Sequence, residues 1–251
     1  MVRILLLALC FALPASAAEE VVLGLSRDRV SITAFFDGSE ILVFGAVKRD
    51  EPIPEERLEV IITVEGPREP LVIRRKERRF GIWVNTESVE VASAPSFYAV
   101  ASTAPLVVAM SEEEDLRSRV SIYNAIRTVS AAPEGTDTAR FIDALVRIRL
   151  REGLYQRRPY HVVLDEQTLF RTSVQLPANI SEGGYETRIF LTRQGEIVHQ
   201  FKTVIDVQKV GLERFLFSLS REQPFVYGIM AVGIALVAGW GASAGFALLR
   251  R

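Results

Sequence analysis

Two histidines, a run of arginines and a stripe of small residues are the parts of this 251-residue chain whose types and spacing could do chemistry. His161 precedes Asp165 by four residues and His199 precedes Asp206 by seven, and neither spacing matches HExxH or another metal-ligand pattern. Structural or surface roles are expected for both, unless opposite strands bring them together. The single cysteine, Cys10, sits in an N-terminal apolar run, and beyond it only Met110 and Met230 could offer sulfur, so copper handling has no ligands to stand on. No serine sits in a GxSxG elbow, and the chain has no GxxxxGK[ST] or GxGxxG phosphate loop. The residues therefore point to no catalytic, cofactor or metal site, and no enzyme activity is expected from them.

Two patterns remain. Arg74, Arg75, Lys76, Arg78 and Arg79 surround Glu77 in one charged run, and guanidinium forks suit anions, lipid headgroups or an acidic partner. The plain alternative is a solvated hairpin tip or a strand edge guarded against aggregation. Ala231, Ala235, Ala238, Ala242 and Gly245 follow one another by four, three, four and three residues, which places small side chains on one face of a helix and lets another helix approach closely.

That stripe belongs to a segment, 224–249, in which Phe225 to Leu249 carry no charge and Arg250-Arg251 follow. As a helix it would be about 37 Å long, enough to cross a hydrocarbon core of roughly 30 Å. A second apolar run at the N-terminus, with Arg3 before Ile4–Leu13 and Ala15-Ser16-Ala17 after it, reads as a signal peptide over 1–17, cleaved after Ala17 or Ala18. An export signal and the terminal arginines together place the bulk outside the membrane and the 250–251 stub in the cytoplasm. Only Lys48, Lys76, Lys202 and Lys209 among the 30 basic residues are lysine, an arginine bias of the kind found in GC-rich bacterial genomes, so the outside is expected to be a periplasm. With 31 acidic residues against those 30, the chain does not look like a nucleic-acid binder.

Between the two apolar ends the pattern is mainly β. Short strands separated by Asp37-Gly38, Pro52, Pro54 and Gly66-Pro67 predict a first sandwich unit over 18–110, with a tight hairpin at Asp37-Gly38, a strand at 105–110 and a doubly covered central strand at Ile41–Val47. Leu58–Glu65 alternates as a strand with one buried and one wet face. Ser111 before three glutamates, then Leu116, Val120 and Tyr123, predicts a helix; Pro133-Glu134-Gly135 breaks it, and a second helix runs from about Thr138 to Arg151, giving a helical hairpin over 111–153. Strands return at 160–164, 169–176, 185–192 and 197–207, a second sandwich-like unit over 154–210, in which Pro177, Gly183-Gly184 and Tyr185 suggest a tyrosine corner. The strand at 105–110 could belong to this second unit, with the hairpin inserted in it, or the hairpin could pack between two domains. A neck or interfacial helix is expected at 211–223. The fold class predicted is thus two immunoglobulin-like antiparallel sandwich units, an intervening helical hairpin and one C-terminal transmembrane helix.

The succession SRDRVSITAFFDGSEILVFGAV, GIWVN, SFYAVAST, LFRTSVQLPANISEGGYETRIFL, VGLERFLFSLSREQPFVYGIMAV and GWGASAGFALLRR resembles an alphaproteobacterial family of transmembrane proteins with no assigned activity. The resemblance implies an accessory role beside a permease of the sulfite-exporter-like kind, and it brings no catalytic residue. The reading from residues and resemblance together is a single-pass inner-membrane protein that works by interaction, its partner a membrane protein or a second copy met through the membrane helix. The rival is a membrane-tethered periplasmic hydrolase or small-anion-binding protein, and fold alone does not choose between them.

Overall fold

The computed structural model describes residues 19–26, 29–32, 36–49, 52–128, 136–209 and 212–249; the expected signal peptide and the 250–251 stub lie outside them. In chain order come β1 (Glu20–Leu25), β2 (Arg29–Ile32), β3 (Ser39–Lys48), β4 (Leu58–Glu65), β5 (Arg68–Arg79), β6 (Ile82–Pro95) and β7 (Tyr98–Ser102). A helical segment follows, with α1 (Leu106–Ala109), α2 (Glu112–Ser118) and α3 (Ile122–Ala125), then β8 (Arg127–Thr128) and α4 (Thr138–Arg151). The chain then forms β9 (Tyr155–Pro159), β10 (Val163–Asp165), β11 (Leu169–Leu176), β12 (Gly183–Arg193) and β13 (Glu196–Lys209), and ends in α5 (Leu212–Glu222) and α6 (Pro224–Leu249).

One sheet has the order β1-β3-β11-β10 and the other β2-β13-β12-β4-β7-β9, while β5, β6 and β8 form a third. Ile41, Val43, Phe170 and Val174 of the first sheet and Leu58, Val60, Ile62, Ile189 and Leu191 of the second share one buried core. This corrects the expectation of two separate units. β3 pairs with β11 from Leu169↔Ala46 to Leu176↔Ser39, and β4 pairs with β12 from Glu186↔Glu65 to Arg193↔Leu58, so the two halves of the chain are interleaved in both sheets. Neither half has a core of its own to bury.

The other corrections follow from that interleaving. β2 pairs in parallel with β13, while β3 pairs with β1, so Asp37-Gly38 connects two sheets and is no hairpin. β3 is central but covered on one side only, with Leu42 and Phe44 exposed, whereas all eight residues of β4 are buried. The helical segment supplies the second cover for β4. It includes Leu106–Ala109, read from its valines as a strand but closed as a single turn by Met110 N–H on the Leu106 carbonyl. Ser111 does cap α2, accepting from Glu114 N–H at 3.3 Å, but the helix stops at Arg119, which turns left-handed at φ 52°. Asp115 fixes that stop: one carboxylate oxygen accepts from Val120 N–H at 3.0 Å and Ser121 N–H at 2.6 Å, and the other accepts from the Asn124 amide at 2.9 Å. α4 begins at Thr138 as its apolar spacing predicts, capped by Asp137. Of the strand expected at 160–164 only Val163 and Leu164 join a ladder, as part of β10, while β9 ends before it at Pro159.

Arg188 of β12 joins the helical segment to the sheet. It is 8% exposed, and its guanidinium donates to the Ser118 carbonyl at 2.8 Å, the Arg119 carbonyl at 3.1 Å, the Tyr98 hydroxyl at 3.1 Å and the Thr63 hydroxyl at 3.2 Å. The two carbonyls are orphan acceptors at the end of α2, where partial negative charge accumulates. Tyr98 passes the hydrogen bonding on by donating to the Val120 carbonyl at 2.9 Å, and burial holds its phenol well above the usual range, so it stays a neutral donor. Glu65 balances the charge at 3.8 Å and also takes Arg68 at 2.5 Å.

A second buried pairing secures the N-terminal end. Glu19 accepts from Arg49 at 2.6 Å and from Arg193 at 2.6 Å, and Arg49 also donates to the Gln167 carbonyl. At the opposite end Tyr185 makes the expected corner bond, donating to the Ser181 carbonyl at 2.8 Å; burial pushes its phenol up to about 12.

Arg188→Met is expected to lower the unfolding free energy by about 3–5 kcal/mol, because it strands the buried carbonyls and leaves Glu65 with Arg68 alone. Arg188→Lys should recover little, since an ammonium lacks the fork. Chemical denaturation of the full chain in detergent, followed by near-ultraviolet circular dichroism, reads both losses. Burial works to raise the Glu19 carboxyl, but the hydrogen bonds and charges of Arg193 and Arg49 outweigh it and hold its pKa below the usual value of 4.5. A lowered pKa stabilises the fold above the unfolded-state value and loses that contribution as pH falls through the folded one. The stability difference between the natural chain and Glu19→Gln should therefore be constant from neutral pH down to about 5 and shrink below the ordinary carboxylate range. The same denaturation series repeated across pH checks it.

Candidate functional site

β5 and β6 leave the body as one long hairpin, and its base is a continuation of sheet pairing. Glu65 faces Tyr98 across β4 and β7, Gly66 N–H donates to the Phe97 carbonyl at 2.8 Å, Ser96 N–H donates to the Pro67 carbonyl at 2.8 Å, and Arg68 faces Pro95. The β4–β7 ladder thus runs on without interruption into the β5–β6 arm. Val89 and Val91 are buried at its root, where β8 adds a short strand and Arg68 donates to the Ala125 carbonyl at 3.0 Å. Beyond Ile73 the arm is exposed on β5 through Arg79. Register shifts near Glu69 and near Arg75 bend it.

All five candidate anion-binding residues, Arg74, Arg75, Lys76, Arg78 and Arg79, lie on this free part. The pleat divides them. Arg75 pairs with Glu87 and Arg79 with Glu77, each at 3.1 Å, on one face. Arg74, Lys76 and Arg78 occupy the alternate positions, and no ion-pair partner faces them among the described residues. Arg78 sits directly across from Trp83, so the indole belongs to that same face. The tip is a two-residue reversal in which Phe80 has φ 49° and Gly81 φ 84°. Tight hairpins of this hand favour Asn-Gly, because both central residues need positive φ. Phe80 adopts it without that small side chain and stands fully in solvent, beside exposed Ile82 and Trp83. In the sequence the apex is Phe80-Gly81, set between the charge run and Ile82-Trp83.

A second concavity lies where the β7–β9 edge meets the helical segment. It has a volume of about 280 Å³ and is lined by Val100, Leu106, Ile122, Tyr123 and the two arginines Arg157 and Arg158. The Arg157 guanidinium stacks 5.2 Å over the Tyr123 ring. Its serines are committed elsewhere: Ser102 donates to the Ala104 carbonyl at 2.5 Å, and Ser121 accepts from Asn124 N–H at 3.3 Å. Neither hydroxyl is paired with a base.

The histidines do not converge. His161 follows the edge strand β9, whereas His199 lies on β13, and β12, β4 and β7 stand between those strands, a separation on the order of 19 Å at sheet spacing. His161 Nδ1 instead lies 3.0 Å from the Pro159 carbonyl. Among the described residues no three His, Cys, Asp or Glu side chains gather as metal ligands would.

α6 is long and apolar enough to span a membrane over Pro224–Ser243, and none of that window is buried inside the chain. Ala231, Ala235, Ala238 and Ala242 are exposed along it, and Gly245 lies in its last turns.

No curated protein matches the chain. Over residues 20–248 it matches the model of a family described as "Putative transmembrane protein", a span that runs from β1 through the body and arm to α6. By that match, and in agreement with the exposed apolar helix α6, the chain belongs to this family of membrane proteins.

Proposed function

We propose that the chain is a membrane-anchored accessory protein that acts by contact, with its β-rich body in the periplasm, its C-terminus in the cytoplasm and its partner a neighbouring inner-membrane permease of the sulfite-exporter-like kind. The observation that carries the reading is α6 itself: a charge-free helix with every small residue from Ala231 to Ala242 unpacked inside the chain. In a bilayer such a face gains close packing only against another helix. That partner is a permease helix or the same helix of a second copy, and the arginine-rich arm offers the body a further contact.

The pocket beside Arg157 and Arg158 supports one alternative, a small-anion-binding role, since its apolar wall would take a short hydrophobic group and its arginines an acidic end. A hydrolase has less support, because the pocket serines have no base.

Alkaline phosphatase fused before Pro224 should be active if the body is periplasmic, and an inactive fusion at a normal protein level argues for the opposite orientation. Crosslinking in native membranes tests the pairing face. Ala238→Leu or Gly245→Leu should reduce recovery of a crosslinked complex without changing insertion, while Val232→Leu, off the stripe, should leave it intact. If all three behave alike, α6 is only a tether.

A further inference from the structure

We infer that the β5–β6 arm is a second membrane contact, with Phe80, Ile82 and Trp83 seated in the headgroup interface of the leaflet that faces the body and Arg74, Lys76 and Arg78 on anionic lipid phosphates. This deepens the anchored reading above and rests on it.

Topology sets the direction of the arm. β13 carries the chain out of the sandwich toward α5 and α6, and its exit lies at the end of the sheet where Gly183 faces Val207. The arm leaves from the same end. A Cβ on Gly183 would lie 2.6 Å from Pro67 Cγ, so the glycine lets the arm's root pack directly beside the exit. Because β4 and β13 both flank β12 and both run toward that end, the β4–β5 ribbon continues to the side on which the membrane helix is attached.

Length agrees with direction. From Glu65 to Phe80 the arm has a contour of about 50 Å at strand rise. Val204 is level with Glu65 through Glu186. From Val204 to Pro224 the rest of β13, residues 210 and 211, α5 and Gln223 together reach at most about 46 Å. The arm can therefore reach the plane where α6 enters the bilayer, with room left for the bends at its two bulges.

The chemistry of the tip fits that plane. Aromatic side chains with an apolar body settle at the membrane–water boundary, and cations beside them meet the lipid phosphates. Here the unpaired cations and Trp83 share a face, while the ion-paired arginines occupy the other. Phe80 holds a left-handed backbone in open solvent, a local cost that an interface for its ring would offset. A strand edge guarded against aggregation needs charge, but it does not need three exposed apolar residues at the tip.

The full chain with Trp240→Phe, which leaves Trp83 as the sole tryptophan, is reconstituted in vesicles of phosphatidylcholine and phosphatidylglycerol. Trp83 emission should move to shorter wavelength relative to detergent, resist aqueous acrylamide and be quenched by lipids brominated near the headgroup. Each basic residue at an anionic surface is worth about fivefold in equilibrium constant, so changing Arg74, Lys76 and Arg78 together to Gln should lower the inserted-to-free ratio on the order of 100-fold. The reciprocal chain, Trp83→Phe with Trp240 retained, reports α6. If brominated lipids do not quench Trp240, the anchored reading itself fails. If they quench Trp240 while Trp83 stays open to acrylamide, the arm proposal alone is overturned. Protection of Trp83 in native membranes but not in vesicles overturns it too, and assigns the tip to a protein partner.

Discussion

Behind the six-stranded sheet a single guanidinium, that of Arg188, ties the polar end of α2 to the strands on which the helical segment packs. The backbone of α2 ends in a left-handed residue, leaving the Ser118 and Arg119 carbonyls pointing at an apolar sheet. Buried acceptors in that position need donors, and a guanidinium supplies several in one plane. Tyr98 and Thr63 take two more of its donors and Glu65 balances the charge. Once the helical segment is fixed there, β4 is covered on both sides. Arg68, bonded to Glu65 and to the Ala125 carbonyl, then joins the same polar cluster to the root of the arm. The body, its helical cover and its projection therefore share one electrostatic junction.

Local pattern was sufficient for the strands Leu58–Glu65 and Leu169–Leu176 and for the helix from Thr138, whose periodicity is strong and uninterrupted. It failed wherever a residue's partner was distant in the chain. Glu59, Thr63 and Glu65 look like the wet face of β4, yet each is buried against a polar group: Arg57 and Thr103 for Glu59, Arg188 for Thr63, Arg68 and Arg188 for Glu65. Polarity in a sequence does not distinguish water from a buried guanidinium. Pairing of β3 with β11 likewise leaves no trace in either strand, and two units were the natural inference from a helical interruption. The valines of Leu106–Ala109 suggested a strand because β-branching is a weak preference, which a single turn docked on β4 overrides.

The candidate site was legible in part. The arginine run was visible, and so was the small-residue stripe, because both are written in consecutive or periodic residues. The division of the arm into a paired and an unpaired face was not, since it depends on which residue of β6 opposes which of β5, and a bulge beside Arg75 resets that register. Phe80 follows the charge run directly and carries no turn signal of its own. Only the backbone at the turn identifies it as the apex, where an aromatic ring replaces the residue that a tight reversal favours.

The two ends of the sandwich are thereby unequal. At one end Glu19 joins Arg49 and Arg193 in a buried, closed cluster that presents little to a partner. At the other, Gly183 brings the arm's root against the strand that leads to α6, and both projections of the chain depart together. A protein tethered by one helix alone is free to tilt about its neck, and its surfaces then meet a membrane neighbour in many orientations. A second contact at the tip of an arm comparable in length to the neck would remove most of that freedom. It would hold the pocket beside Arg157 and the exposed face of β3 at a defined height above the bilayer, so that recognition by a membrane-embedded partner costs less orientational entropy than it would for a freely swinging domain.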